Sequence, residues 1–192
     1  LALATFGEGG PVARPLIRQL VAAAKAKDFA CDYQGLANTL FSMRVLQEGN
    51  GDVFETQGVK TLLCAFDRGL LSREGITQLH QVLHCMEEEG ESKVATEEQR
   101  QAIRKAIGAS ATTSSSFQRK VSKCLCGMGV DHVEEHDVEG MGYIVDVAFV
   151  SEKVALEVDG PSHFWRDGDT GRWRYNGSTM LKQRLLEKLG WR

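Results

Sequence analysis

Acidic residues stand inside two segments that otherwise read as β-strands. Residues 142–165 run GYIVDVAFVSEKVALEVDGPSHFW. Tyr143 to Phe149 is rich in β-branched and aromatic residues, and Val154 to Val158 follows after the charged turn Ser151-Glu152-Lys153. This pattern predicts two adjacent strands joined as a hairpin. Asp146 lies inside the first, and Glu157 and Asp159 close the second. Residues two apart on a strand face the same way, so Glu157 and Asp159 share a face, and Asp146 could oppose them across the hairpin. Three carboxylates on one patch repel, and burial raises the cost of each charge. A metal ion, basic groups or solvent must offset them.

The segments D-V-A-F at 146–149, A-L-E-V-D-G-P-S-H-F at 155–164 and N-G-S-T-M-L-K-Q-R-L-L-E-K-L-G-W at 176–191 resemble the RAP domain, a small module of organellar RNA-metabolism proteins. The resemblance implies a small α/β fold related to PD-(D/E)xK nucleases (a restriction-endonuclease-like fold). It places Asp146 and Glu157 at the two acidic positions of such nucleases. Were the site a nuclease, Asp146, Glu157, Asp159 and His163 would be its catalytic residues, with Mg²⁺ held by Asp146 and Glu157. The position that carries lysine in those nucleases holds Asp159 here, which argues against cleavage. The expectation is therefore no cofactor, and Mg²⁺ only if the site cleaves. The family continues into one more strand after the position of Gly190-Trp191-Arg192, where this sequence stops.

His163 follows Gly160-Pro161-Ser162. It can transfer protons near neutral pH, or anchor its loop to Asp159; the second reading is preferred. Arg166, Arg172 and Arg174 alternate with Trp165, Trp173 and Tyr175, a mixture that suits single-stranded RNA, whose bases stack on rings while guanidinium groups meet phosphate. With Lys182 and Arg184 of the final helix, the candidate RNA contacts are Arg166, Arg172, Trp173, Arg174, Tyr175, Lys182 and Arg184. Overall charge does not announce this role, because the chain carries a formal net charge of −3. Charge is uneven, however. Between Arg166 and Arg192 seven Lys/Arg residues face three acids, so any basic surface is local to the C-terminal third.

Upstream, helical periodicity predicts helices over about 14–24, 33–47, 53–68, 72–89 and 96–108. Ser72 is a candidate N-cap, and Thr96-Glu97-Glu98-Gln99 has the pattern of a capping box. Gln34-Gly35-Leu36-Ala37-Asn38-Thr39-Leu40 resembles the consensus of octotricopeptide-type helical repeats, and Glu74-Gly75-Ile76-Thr77-Gln78-Leu79 echoes it forty positions later. So few repeats leave a solenoid face open, to be covered by further repeats or by a partner. The small-polar run 109–116 reads as a linker. After it, a helix over 117–128 with Phe117, Val121 and Leu125 on its apolar face, a strand at 131–136, the hairpin, and a helix over 178–189 complete the pattern. The predicted architecture is an irregular lead-in at 1–13, a helical-hairpin repeat segment at 14–108, the linker, and a small α/β domain at 117–192.

Two metal readings fall on geometry. Cys124 and Cys126 on one helix point about 200° apart, and His132 and His136 on a strand stand about 13 Å apart, so the four do not converge on zinc. His80 and His84 share a helical face with Glu88 and read as packing residues. Five cysteines show no disulfide-framework spacing and suit a reducing compartment. No apolar run is long enough to span a membrane, so no membrane partner is expected. The functional expectation is an organellar RNA-binding protein, mitochondrial or alternatively plastid. It would act in rRNA or mRNA processing, stabilisation or ribosome assembly, with protein subunits of a mitoribosome or other ribonucleoprotein as partners. A Mg²⁺-dependent endoribonuclease and a structural protein-binding subunit are the alternatives.

Overall fold

Two helix N-caps forty residues apart set the layout. In the computed structural model, which describes residues 15, 19, 32–47, 53–90, 94–108, 114–138, 143–168 and 170–192, Asp32 accepts from the Gly35 amide at 2.6 Å and Ser72 from the Gly75 amide at 3.0 Å. They open helices α1 (Tyr33–Val45) and α3 (Arg73–Glu88). Between the two lies α2 (Val53–Asp67), and α4 (Glu97–Gly108) follows. The two caps therefore recur at the forty-residue spacing read in the sequence. Polar side chains tie α1 to α3: Gln34 Nε2 donates to Asn38 Oδ1 (3.1 Å) and Gln78 Oε1 (3.0 Å), Gln78 Nε2 donates to Asn38 Oδ1 (3.0 Å), and Ser72 Oγ donates to Gln34 Oε1. The helix expected over 14–24 lies outside the described residues, save Pro15 and Gln19, which are helical.

Leu40 and Met43 of α1 and Leu46 at its C-cap share one buried cluster with Val59, Leu62, Leu79, Leu83 and Met86. Each such side chain contributes roughly 1.5–3 kcal/mol of burial free energy. Gly58 permits the close approach of α2 to α1, since a Cβ there would stand 3.1 Å from Leu40 Cδ1. The capping box at the start of α4 is formed in both directions, Gln99 N–H to Thr96 Oγ1 and Thr96 N–H to Gln99 Oε1.

Helix α5 (Ser116–Gly127) opens on a Ser115–Gln118 capping box. The expected face is inward only in part, with Val121 and Leu125 half-buried. Gln118 and Ser122 are buried, whereas Phe117 and Met128 are 62% and 74% exposed. The reason is the strand beneath: Ser122 Oγ donates to Glu134 and lies 2.9 Å from His132 Nε2, so the polar side of the helix is the one with partners.

Strands β1 (Val133–Asp137), β2 (Ile144–Phe149) and β3 (Val154–Leu156) form an antiparallel sheet in that order, with Val133 opposite Ala148 and Val147 opposite Leu156. β3 is shorter than expected, ending before Glu157. The Asp146 carboxylate takes the Val158 amide at 2.7 Å, and the chain peels away from the ladder there. A single 3₁₀ turn, Pro161–His163, leads into a small hairpin not foreseen from the sequence, β4 (Phe164–Arg166) and β5 (Trp173–Tyr175). Helix α6 (Gly177–Lys188) ends in a Schellman turn with Gly190 at φ +81° and Trp191 N–H bonded to Leu186 O. That turn buries Trp191 and lays Arg192 along β3. Ala155 N–H donates to Arg192 O (2.8 Å) and Arg192 N–H to Lys153 O (2.9 Å), the pattern of a parallel pair.

The order, helices followed by small sheets, is an α+β arrangement. Its apolar core is continuous: Leu181, Leu185, Leu186, Val145 and Trp191 belong to the same cluster as Leu40, Leu79 and Met86. The His80 and His84 rings each stand 5.5 Å from Tyr143, closing the junction.

Candidate nucleic-acid interface

Cross-strand pairing sorts the residues of the β4–β5 hairpin onto two faces. Phe164 opposes Tyr175, Trp165 opposes Arg174, and Arg166 opposes Trp173. Directly opposed residues share a face, and neighbours along a strand alternate. One face therefore carries Phe164, Arg166, Trp173 and Tyr175, and the other carries Trp165 and Arg174. On the first face Phe164 and Tyr175 stack with ring centroids 4.8 Å apart. Trp173 is 66% exposed, and Arg166 and Tyr175 are exposed beside it. On the second face Trp165 Nε1 donates to Tyr175 O (3.2 Å), and Arg174 Nε meets Asp167 Oδ2 (3.0 Å). The connecting turn is closed by Asp167, whose Oδ1 accepts from Thr170 N–H, and by Gly171 at φ +66°. Arg172 is exposed at that turn. The seven basic and aromatic candidates are therefore not one surface. Arg166, Trp173 and Tyr175 share an open face with Arg172 at its edge, and Arg174 is on the reverse.

Lys182 and Arg184 are placed inside the fold. Lys182 Nζ donates to Glu157 Oε1 (2.7 Å) and to the Ile144 carbonyl (2.8 Å). Arg184 Nη2 donates to the carbonyls of Arg44 (3.4 Å) and Val45 (2.8 Å). On α6 these two side chains reach the acid patch and the C-terminal carbonyls of α1, both of which attract cations. Spacing alone showed only that they lie off the Leu181–Leu185 stripe.

The acid patch is built from three separate bonds. Asp146 accepts the Val158 amide, Glu157 pairs with Lys182, and Asp159 Oδ1 lies 2.9 Å from His163 Nδ1, which is also 3.2 Å from Thr179 Oγ1. Burial pushes the Glu157 carboxyl above its ordinary value; Lys182 pulls it back, and Asp146 and Asp159 add to the rise. Asn176 locks the same loop: its Oδ1 caps α6 through Thr179 N–H (2.9 Å), its Nδ2 donates to Ser162 O (2.8 Å), and its amide donates to His163 O (2.8 Å). These bonds join D-G-P-S-H to N-G-S-T. The two segments are two halves of one brace, and Asn176 and Thr179 are site residues that the sequence reading passed over.

The nuclease reading asks these acids to hold Mg²⁺. One oxygen of each already serves an amide, an ammonium and an imidazole in turn. Among the described residues no group of three His, Cys, Asp or Glu side chains could hold a metal ion. The residues present do not fit the ion.

Residues 156–192, from the end of β3 through the hairpin and α6, match the RAP domain family. The C-terminal segment is a RAP domain. A RAP domain-containing protein of Oryza sativa subsp. japonica, a chloroplastic protein, is 41% identical over 78 residues. That match covers 41% of this chain and 11% of the relative, so the chain spans about a tenth of the curated relative it resembles. No solved structure matches. The matched RAP segment contains the hairpin, the Asp159–His163–Asn176 brace and α6; Asp146 precedes it.

Proposed function

We propose that this chain binds RNA through the open face of its RAP hairpin, with Trp173 and Tyr175 stacking on bases and Arg166 and Arg172 meeting phosphate. The observation that carries the reading is the pairing of Arg166 with Trp173 on one exposed face. A tryptophan 66% exposed loses packing unless a partner covers it, and base–aromatic stacking contributes roughly 1–3 kcal/mol per base. RAP domains are linked to RNA-related functions, which favours RNA as that partner. The setting is organellar. The relative is chloroplastic, so a plastid stands beside the mitochondrion as the compartment. Processing or stabilisation of rRNA or mRNA, or ribosome assembly, is the activity this surface would serve.

The same reading takes 14–108 as a helical-repeat segment after a lead-in at 1–13, 109–116 as the linker and 117–192 as the RAP module. The parallel pairing of Arg192 beside β3 supports a restriction-endonuclease-like sheet. Fluorescence anisotropy with single-stranded RNA tests the proposal. Trp173→Ala and Arg166→Ala should each weaken binding about tenfold, and Arg172→Ala should flatten the log–log salt dependence by roughly one unit. Unchanged affinity in all three sets it aside.

A protein partner is the second reading, favoured by α5, which turns Phe117 and Met128 to solvent while Gln118 and Ser122 face inward. Phe117→Asp should release the chain from a ribonucleoprotein on gradient sedimentation without changing RNA affinity. Unaltered co-sedimentation removes this reading.

A further inference from the structure

We propose that Lys182 is a built-in counter-cation that closes the Asp146–Glu157–Asp159 patch to divalent metal ions. The Lys182 ammonium sits between the Glu157 carboxylate at 2.7 Å and the Ile144 carbonyl at 2.8 Å, two oxygen donors of the kind a hard cation seeks. Its stem rises from α6, whose start is fixed by the Asn176 cap and whose buried Leu181 and Leu185 lock the helix into the shared core. The ammonium is therefore delivered by rigid structure rather than by a free side chain. The Lys182 and Glu157 side chains are only 25% and 22% exposed, so the pair is held largely out of water.

The other two acids complete the balance. One oxygen of Asp146 accepts from the Val158 amide, and one oxygen of Asp159 lies 2.9 Å from His163 Nδ1. A divalent ion would have to displace the ammonium and break the Asp146–amide bond that ends β3. Mg²⁺ sheds its water reluctantly and requires near-octahedral oxygen geometry, so these displacements weigh against its entry. The inference concerns a site apart from the hairpin, and RNA binding can stand or fall independently of it.

The test uses the full chain and Mn²⁺ as the probe, followed by water-proton relaxation, together with thermal melting in Mg²⁺. The unchanged protein should show no saturable Mn²⁺ binding at millimolar ion and no shift in Tm. Lys182→Met, which keeps the stem and removes the charge, should acquire Mn²⁺ binding and a Mg²⁺-dependent rise in Tm of about 2 °C or more. Glu157→Gln in the Lys182→Met background should abolish both. Saturable binding by the unchanged protein overturns the proposal, above all if RNA cleavage accompanies it and is lost in Lys182→Met, because Lys182 would then serve a metal site rather than close one. A folded Lys182→Met protein as silent as the parent also overturns it, since the acids alone would then be no cation site. Lys182→Gln repeats the comparison if Lys182→Met fails to fold, and saturable Mn²⁺ binding by the unchanged protein overturns the proposal without any variant.

Discussion

Arg184 Nη2 donates to the Val45 carbonyl at 2.8 Å, joining α6, the last helix of the RAP domain, to the end of α1. The contact spans 139 residues of sequence. It lies beside a buried ion cluster in which Arg44 Nε meets Glu55 Oε1 and Arg44 Nη1 meets Glu89 Oε2, each at 2.5 Å. Burial works against the Arg44 charge, but Glu89 and Glu55 outweigh it and hold the guanidinium above its ordinary value. Burial pulls Arg184 below its ordinary value.

Arg184→Met should therefore lower stability by about 1–2 kcal/mol through the lost carbonyl bonds. The loss is tempered because Arg184 Nε is buried without a partner among the described residues. RNA affinity should not change. Denaturant melts and anisotropy on the same preparation check both parts, and a drop in affinity at unchanged stability would return Arg184 to the RNA surface.

Separating the two halves should leave both weak. Leu181, Leu185 and Val145 share one core cluster with Leu40 and Met86, so a 1–110 fragment exposes apolar surface that the RAP domain covers. The expected outcome is a low, broad melt for the fragment and a single cooperative transition for the whole chain. A sharp, high-temperature melt of monomeric 1–110 would contradict the shared core.

Cys85 predicts an alkaline limit. Burial pushes its thiol up to about 11, with Arg44 and Lys188 opposing the rise. A folded-state pKa above the unfolded one favours the protonated folded form. Its contribution is complete below the unfolded value of about 8.5 and is lost as pH rises through about 11. Stability should fall across that window, less so in Cys85→Ser. At pH 8 iodoacetamide should modify exposed Cys64, Cys124 and Cys126 well before Cys85, as mass spectrometry would read.

Asn176→Ala removes both the α6 cap and the bond to Ser162 O, and should lower stability by about 2 kcal/mol. Asn176→Asp keeps an acceptor for Thr179 N–H and should lose about half as much. Equal losses in the two variants would show that the cap is not what matters.

Local signals wrote most of the helices into the chain. Ser72, the Thr96–Gln99 box and Asn176 act on amides three residues away, and the buried leucines follow a single helical turn, so a short window of sequence contains the whole cause. The acid patch was equally legible as a set of residues, because Asp146, Glu157 and Asp159 violate strand patterning wherever the strands go. What met those acids was not legible. Lys182 lies 25 residues from Glu157 and Arg184 lies 139 from Val45, and their helical positions say only which way they leave the axis. The inward turn of Gln118 and Ser122 depends on β1 residues packed beneath α5, and the faces of β4 and β5 depend on a pairing register. Such choices rest on contacts between segments far apart in the chain, and they take form only when the helices and sheets close on one core.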